Sequence, residues 1–158
     1  SAVTEPGVRV RHVVRAGGVP APGELGYEDV VSGAALEPLN GDVDGRDPAF
    51  IALCKARNVA ICLSEDARYE CVPDVTADFV YARLQKGNDE IKTCYPPKQL
   101  DAWAERLKAW ASGDEPDDLP KVDNTKPKKM PRDVFAYVIH EGKVRAPAGA
   151  MELIERVK

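Results

Sequence analysis

The chain has 158 residues, enough for one domain with a real core, and its 44% apolar and 30% charged residues are typical of a soluble globular protein. Its net charge of -4 argues against broad nucleic-acid affinity, which needs a basic surface, although a local basic patch such as the KPKKMP run is still allowed. The sequence lacks any apolar run of about 18 residues, so we expect no membrane span.

Valine alternates with charged residues in "VRVRHVV" (residues 8–14), a pattern that predicts a half-buried strand. The following stretch, to residue 46, is dense in glycine, proline and acids, which favour turns, and leaves room for one short helix in "YEDVVSGAALEPL". We therefore separate an irregular N-terminal segment, residues 1–46, from residues 47–158.

The clearest helix signal begins at Asp47, a good N-cap, which Pro48 follows at the first helical position. Asn58 is a plausible left-handed stop for this helix. The apolar run "VAICL" comes next and predicts a short strand that is covered on both faces. "TADFVYARLQ" (residues 76–85) predicts another strand, which carries Arg83 near its end.

A second helix is predicted after Pro96 and Pro97, and Gly113 ends it. Its apolar stripe comprises Leu100, Trp103, Leu107 and Trp110. "DVFAYVI" (residues 133–139) is a further strand. The last helix is predicted to start near Pro147 and to pack through Met151, Ile154 and Val157.

Strands thus alternate with amphipathic helices, the βαβ pattern of a parallel sheet covered by helices. The sequence supplies about four strands, whereas a closed α/β barrel needs about eight. The predicted fold is therefore an α/β half-barrel.

The segments "DPAFIALCKARNVAICLSED", "VTADFVYARLQ", "YPPKQLDAWAERLKAWASG" and "RDVFAYVIHEGKVRAPAGAMELIERV" resemble, in this order, segments of the DUF72 (YecE-like) family. The resemblance spans about Asp47 to Val157 and implies a TIM-barrel-like fold without a settled activity. It also implies that this chain carries only the second half of such a barrel.

Three polar positions differ from the residues that the family often has. Gln85-Lys86 replaces His-Gly after Arg83-Leu84, Ile139-His140 replaces Asn-Asn near the last strand, and Gly149 replaces an asparagine in the last helix. These changes put inherited chemistry in question, so we leave open whether the chain is an enzyme.

Ligands of α/β barrels meet the carboxyl ends of the strands, and three predicted strands here end in polar residues. We expect Arg83 to bind a phosphate or carboxylate there, or else to pair with an acid such as Asp66. The further predicted ligand-binding residues are Gln85, Lys86, Tyr81, Tyr137 and Arg145. The candidate catalytic groups are His140, Glu65 and Asp66.

The four cysteines, Cys54, Cys62, Cys71 and Cys94, form no CxxC pair, and only His12 and His140 could join them on a metal. We therefore expect free thiols, no metal, no cofactor and a reducing cytoplasmic location.

Two functions remain open at this point. One is binding of, or action on, an anionic or phosphorylated small molecule at the strand ends. The other is a non-catalytic role in assembly or interaction. Because a half-barrel leaves strand edges exposed, we expect a homodimer, unless the N-terminal segment covers the gap.

Overall fold

A computed structural model describes residues 46–66, 71–139 and 141–158, together with the backbone of residues 8–12. The described strands are β1 (Val8–His12), β2 (Cys62–Ser64), β3 (Phe79–Leu84) and β4 (Asp133–Val138). The described helices are α1 (Pro48–Arg57), α2 (Pro97–Ala111) and α3 (Ala146–Val157). The short helix predicted within residues 27–39 lies outside the described residues.

The four strands form one parallel sheet in the order β1-β4-β3-β2. Strands β2, β3 and β4 are neighbours in chain order, as successive βα units of a barrel are. Strand β1 instead pairs with β4, at the far edge from β2. The prediction of a partial TIM-barrel-like α/β fold is confirmed.

The two faces of the sheet carry different cores. Val80, Ala82 and Leu84 of β3 pack with Leu100, Trp103, Leu107 and Trp110 of α2 in the larger core. Phe79 and Tyr81, which alternate with them, pack with Phe135 and Tyr137 on the other face. We call these the helix face and the open face; on the second, Phe79, Phe135 and Tyr137 are buried, and the name refers to the partly exposed Tyr81 and Arg83. Because successive strand residues point to opposite faces, each residue at the strand ends belongs to one of these two faces.

The ends of α1 follow the sequence prediction. The Asp47 carboxylate accepts a hydrogen bond of 2.8 Å from the Ala49 amide, and Pro48 stands at the first helical position. Asn58 ends the helix with a φ of 53°. On α2, the four predicted apolar positions are all buried, which confirms that stripe.

The predicted packing face of α3 is wrong in part. Met151 is 68% exposed, while Gly149, Ala150 and Leu153 are buried instead. The reason is a close approach: a Cβ on Gly149 would lie 2.8 Å from the Cβ of Cys94. The helix therefore turns its small residues inward, and Met151 faces out.

No helix within the described residues is both long and apolar enough to cross a membrane.

Candidate functional site at the carboxyl ends of the strands

Glu65 follows β2 directly and is held by four hydrogen bonds. Its Oε2 accepts from the Tyr95 hydroxyl at 2.7 Å and from the amides of Gln85 and Lys86 at 3.1 and 3.2 Å. Its Oε1 accepts from Trp103 Nε1 at 3.2 Å. One carboxylate thus joins the ends of β2 and β3 to α2, and we call this arrangement the Glu65 clamp.

Tyr95 is completely buried within the clamp. Burial, with the negative charge of Glu65 beside it, raises the pKa of the Tyr95 hydroxyl far above its ordinary value. The hydroxyl therefore stays protonated and donates to Glu65, while it accepts from the Lys86 amide at 2.8 Å. The clamp consists of matched donors and acceptors.

A cleft of about 380 Å³ opens beside the clamp. Its lining residues come from the ends of β2 and β3, from α2 and from the loops nearby: Leu63, Ser64, Glu65, Asp66, Cys71, Lys86, Trp103, Arg106 and Leu119. The Arg106 guanidinium lies 4.7 Å from the centre of the Trp103 ring and forms a 2.8 Å ion pair with Asp118.

The half-buried thiol of Cys71 faces two opposing influences. Burial raises the pKa of Cys71, while the positive charges of Arg106, Arg46 and Lys86 act to lower it. The negative charge of Glu65 has the smallest influence on it. Positive charge therefore outweighs negative charge at this sulfur.

The open face of the same edge carries Arg83. In the sheet register its Cα is paired with those of Ser64 on β2 and Tyr137 on β4. The rings of Tyr81 and Tyr137 lie 5.0 Å apart, and the side chains of Tyr81 and Arg83 are partly exposed. Next to them, the buried Ser64 hydroxyl donates to Gln85 Oε1 at 2.5 Å.

A third polar group, Asp89, joins the loops after β3 and β4, and we call this arrangement the Asp89 lock. The Asp89 carboxylate accepts from the amides of Val144 and Arg145, at 2.8 and 3.1 Å, just before α3. Gly142 meets the same loop with a φ of +67°, and a Cβ there would lie 2.7 Å from the Asn88 amide nitrogen. The close approach and the left-handed backbone both require glycine.

The family described as "Protein of unknown function DUF72" has a sequence model that matches residues 34–158. The chain belongs to the DUF72 family. The match begins before Asp47, where the sequence resemblance starts, and includes the helix α1 and strands β2 to β4. No curated protein and no solved structure matches the chain significantly.

In this DUF72 protein the predicted site residues fall into separate places. Tyr81, Arg83 and Tyr137 lie together on the open face, with Gln85 bound to Ser64 beside them. Lys86 lines the cleft with Glu65 and Asp66, and the Asp66 amide donates to Ser64 Oγ at 3.3 Å.

One further predicted residue, Arg145, lies elsewhere. Arg145 belongs to the Asp89 lock, where its Nε donates to the Asp89 carbonyl at 3.2 Å. His140 is outside the described residues. Within the described residues, no three His, Cys, Asp or Glu side chains are grouped so that they could hold a metal ion.

Sequence reasoning assigned Trp103 to the core alone and overlooked Tyr95 and Arg106. A usable signal existed for the tryptophan, since a buried indole N–H usually needs an acceptor. Glu65, an acid directly after the strand β2, was an available acceptor. Tyr95 and Arg106 had no such signal, because their partners are separated from them by 30 and 12 residues.

Proposed function

We propose that the chain binds a small anionic ligand, such as a phosphate ester, on the open face at the carboxyl edge of the sheet. Arg83 would hold the anion, and Tyr81 and Tyr137 would contact the body of the ligand. The observation that carries the proposal is the position of Arg83, partly exposed at the end of a central strand and in register with Ser64 and Tyr137.

Several physical features support this site. Parallel sheets bind ligands at the carboxyl ends of their strands, and a guanidinium matches phosphate or carboxylate with two parallel hydrogen bonds. The partly exposed Tyr81 offers ring surface beside the charge, and the buried Tyr137 ring packs against it at 5.0 Å. The Ser64–Gln85 hydrogen bond joins β2 to the chain after β3 and fixes the edge on which Arg83 stands.

Isothermal titration with inorganic phosphate and phenyl phosphate tests the proposal. Arg83→Ala should weaken binding by roughly 1.5–3 kcal/mol, the range for a hydrogen bond to a charged group. Arg83→Lys should recover only part of that loss, because an ammonium cannot form the two parallel bonds. Arg57→Ala, at the exposed end of α1, is the matched control.

Two results would contradict this function. One is unchanged phosphate binding by a folded Arg83→Ala protein. The other is an equal loss in the Arg57→Ala control, which would indicate that only net charge matters.

A second candidate function is a non-catalytic role in assembly. It is favoured by the Glu65 clamp and the Asp89 lock, in which carboxylates of the chain itself occupy backbone amides at the carboxyl edge. On this proposal Glu65 is a structural group, and the chain pairs with a second copy through its strand edges. The four free thiols support a reducing cytoplasmic location in either case.

Sedimentation equilibrium distinguishes the two candidates. The assembly role requires a homodimer with an interface above ~2,000 Å². The melting temperature of such a dimer rises with protein concentration. A monomer that binds phosphate would leave ligand binding as the function.

A further inference from the structure

The cleft beside the Glu65 clamp is separate from the Arg83 surface. Leu63 belongs to the helix-face core, and Trp103 lies on α2, whereas Arg83 lies on the open face with Tyr81. The two lie on different faces of the sheet, and Ser64, which lines the cleft and is in register with Arg83, stands between them. The cleft also has a chemistry of its own, which the proposed function leaves unused.

Part of the cleft lining is apolar. Leu63 and Trp103 are 3% exposed, and partly buried Leu119 packs against the same core. The Cys71 thiol adds a further weakly polar group. A ligand in this space can therefore place an apolar body against these side chains, beside the polar and charged residues that also line the cleft.

Charges of both signs line the cleft, Glu65 and Asp66 with Lys86 and Arg106, and positive charge outweighs negative charge at the Cys71 sulfur. Glu65 is already bound by four donors, and Asp118 is bound by Arg106. Lys86 is exposed at the rim, since only its backbone amide takes part in the clamp. Arg46 donates to the carbonyls of Cys71 and Pro120, so it adds its positive charge close to the thiol.

We propose that this cleft is a second binding site, which takes a small carboxylate with an aromatic or aliphatic body. The carboxylate would lie near Lys86 and Arg106, and the body would lie against Leu63, Trp103 and Leu119. The volume of about 380 Å³ is within the range of small-molecule sites.

A pair of isosteric probes tests the charge requirement. Naphthalene-2-carboxylate and naphthalene-2-carboxamide have the same shape, and only the first is an anion. Isothermal titration should show the carboxylate binding about tenfold more tightly, the effect of one hydrogen bond to a charged group. Lys86→Met should remove most of that preference, while Lys143→Met, another exposed lysine at the carboxyl edge, should keep it.

Cys71 reports where the probe binds. The other three cysteines are no more than 3% exposed, so N-ethylmaleimide should modify Cys71 first in the native protein, and Cys71→Ser should abolish that reaction. Bound naphthalene-2-carboxylate should slow the reaction at least about fivefold at saturation, with a half-effect at its dissociation constant.

The inference is overturned by any of three results. These are equal affinity for the two probes, a charge preference that survives Lys86→Met, and binding that leaves the rate of Cys71 modification unchanged. Each of them is independent of phosphate binding at Arg83, so the failure of one proposal can be distinguished from failure of the other.

Discussion

The two faces of the sheet show two uses of polar residues at the same carboxyl edge. On the helix face, Glu65 is surrounded by donors from β3, Tyr95 and Trp103. On the open face, Arg83 and Tyr81 keep part of their side chains exposed. The two residues reach different environments because Glu65 follows Ser64, the residue in register with Arg83, and successive strand residues point to opposite faces.

Polarity at a strand end therefore does not by itself mark a ligand site. A carboxylate whose oxygens accept four internal hydrogen bonds contributes mainly to stability, since any ligand must compete with those donors. The Arg83 side chain, in contrast, is only partly buried, so part of it stays in reach of solvent. The comparison therefore predicts a large loss of stability on removal of Glu65 and a smaller one on removal of Arg83.

The largest effect is expected from Glu65→Ala. The change leaves the buried Tyr95 hydroxyl and the Trp103 indole N–H without their acceptor, at about 1–3 kcal/mol for each group. We expect a loss of roughly 3–4 kcal/mol in the free energy of unfolding, measured by urea denaturation.

Glu105→Ala on the exposed side of α2 serves as the control for this change. It removes only a surface pair with Lys108 and should stay within about 0.5 kcal/mol of the unchanged protein. If Glu65→Ala lowered the free energy of unfolding as little as this control does, the clamp would contribute little to stability. Glu65 would then again be a candidate catalytic residue.

An intermediate effect is expected at high pH from Tyr95. Its folded-state pKa is raised by burial and by Glu65, so the folded protein keeps the proton that the unfolded chain loses above about pH 10. Its contribution to stability is complete below that pH and is lost as the pH rises, by about 1.4 kcal/mol for each further pH unit.

Tyr95→Phe isolates this contribution from those of other groups. The variant should be less stable at pH 7, because it lacks the two hydrogen bonds of the hydroxyl. Between pH 10 and pH 11.5 its stability should fall less steeply than that of the unchanged protein in urea titrations. Parallel pH profiles would mean that the Tyr95 hydroxyl ionises as readily in the folded state as in water.

Local signals predicted most of the elements correctly. The start of α1 at Asp47-Pro48 and its end at Asn58 are determined by these residues themselves. The apolar stripe of α2 follows from helical spacing. The "VAICL" strand is displaced toward its C-terminal end, to Cys62–Ser64, since the Thr76 side chain binds both the Val59 carbonyl and the Ile61 amide.

The parts that local signals missed depend on distant contacts. The buried face of α3 follows from the approach of Gly149 to Cys94, which spacing within the helix cannot reveal. The position of β1 beside β4 depends on residues about 125 positions apart. The clamp joins residues 20 to 38 positions apart, so the sequence placed Glu65 at the correct edge without its partners.

The smallest expected effect comes from Asp118→Asn at the rim of the cleft. Asp118 is 55% exposed, so the loss of its ion pair with Arg106 should lower the free energy of unfolding by only about 0.5 kcal/mol. Because Arg106 lowers the pKa of Asp118, this contribution is present above about pH 4 and is lost as the pH falls further.

The same change should strengthen binding in the cleft. Without the Asp118 charge, the Arg106 guanidinium keeps its place on the Trp103 ring but no longer has a competing carboxylate. Naphthalene-2-carboxylate should then bind about threefold more tightly by isothermal titration, an effect of roughly 0.6 kcal/mol. Asp117→Asn removes a neighbouring exposed charge that is not bound to Arg106, so it should give a smaller gain. Equal gains in the two variants would show that net charge near the cleft, and not the release of Arg106, governs its affinity.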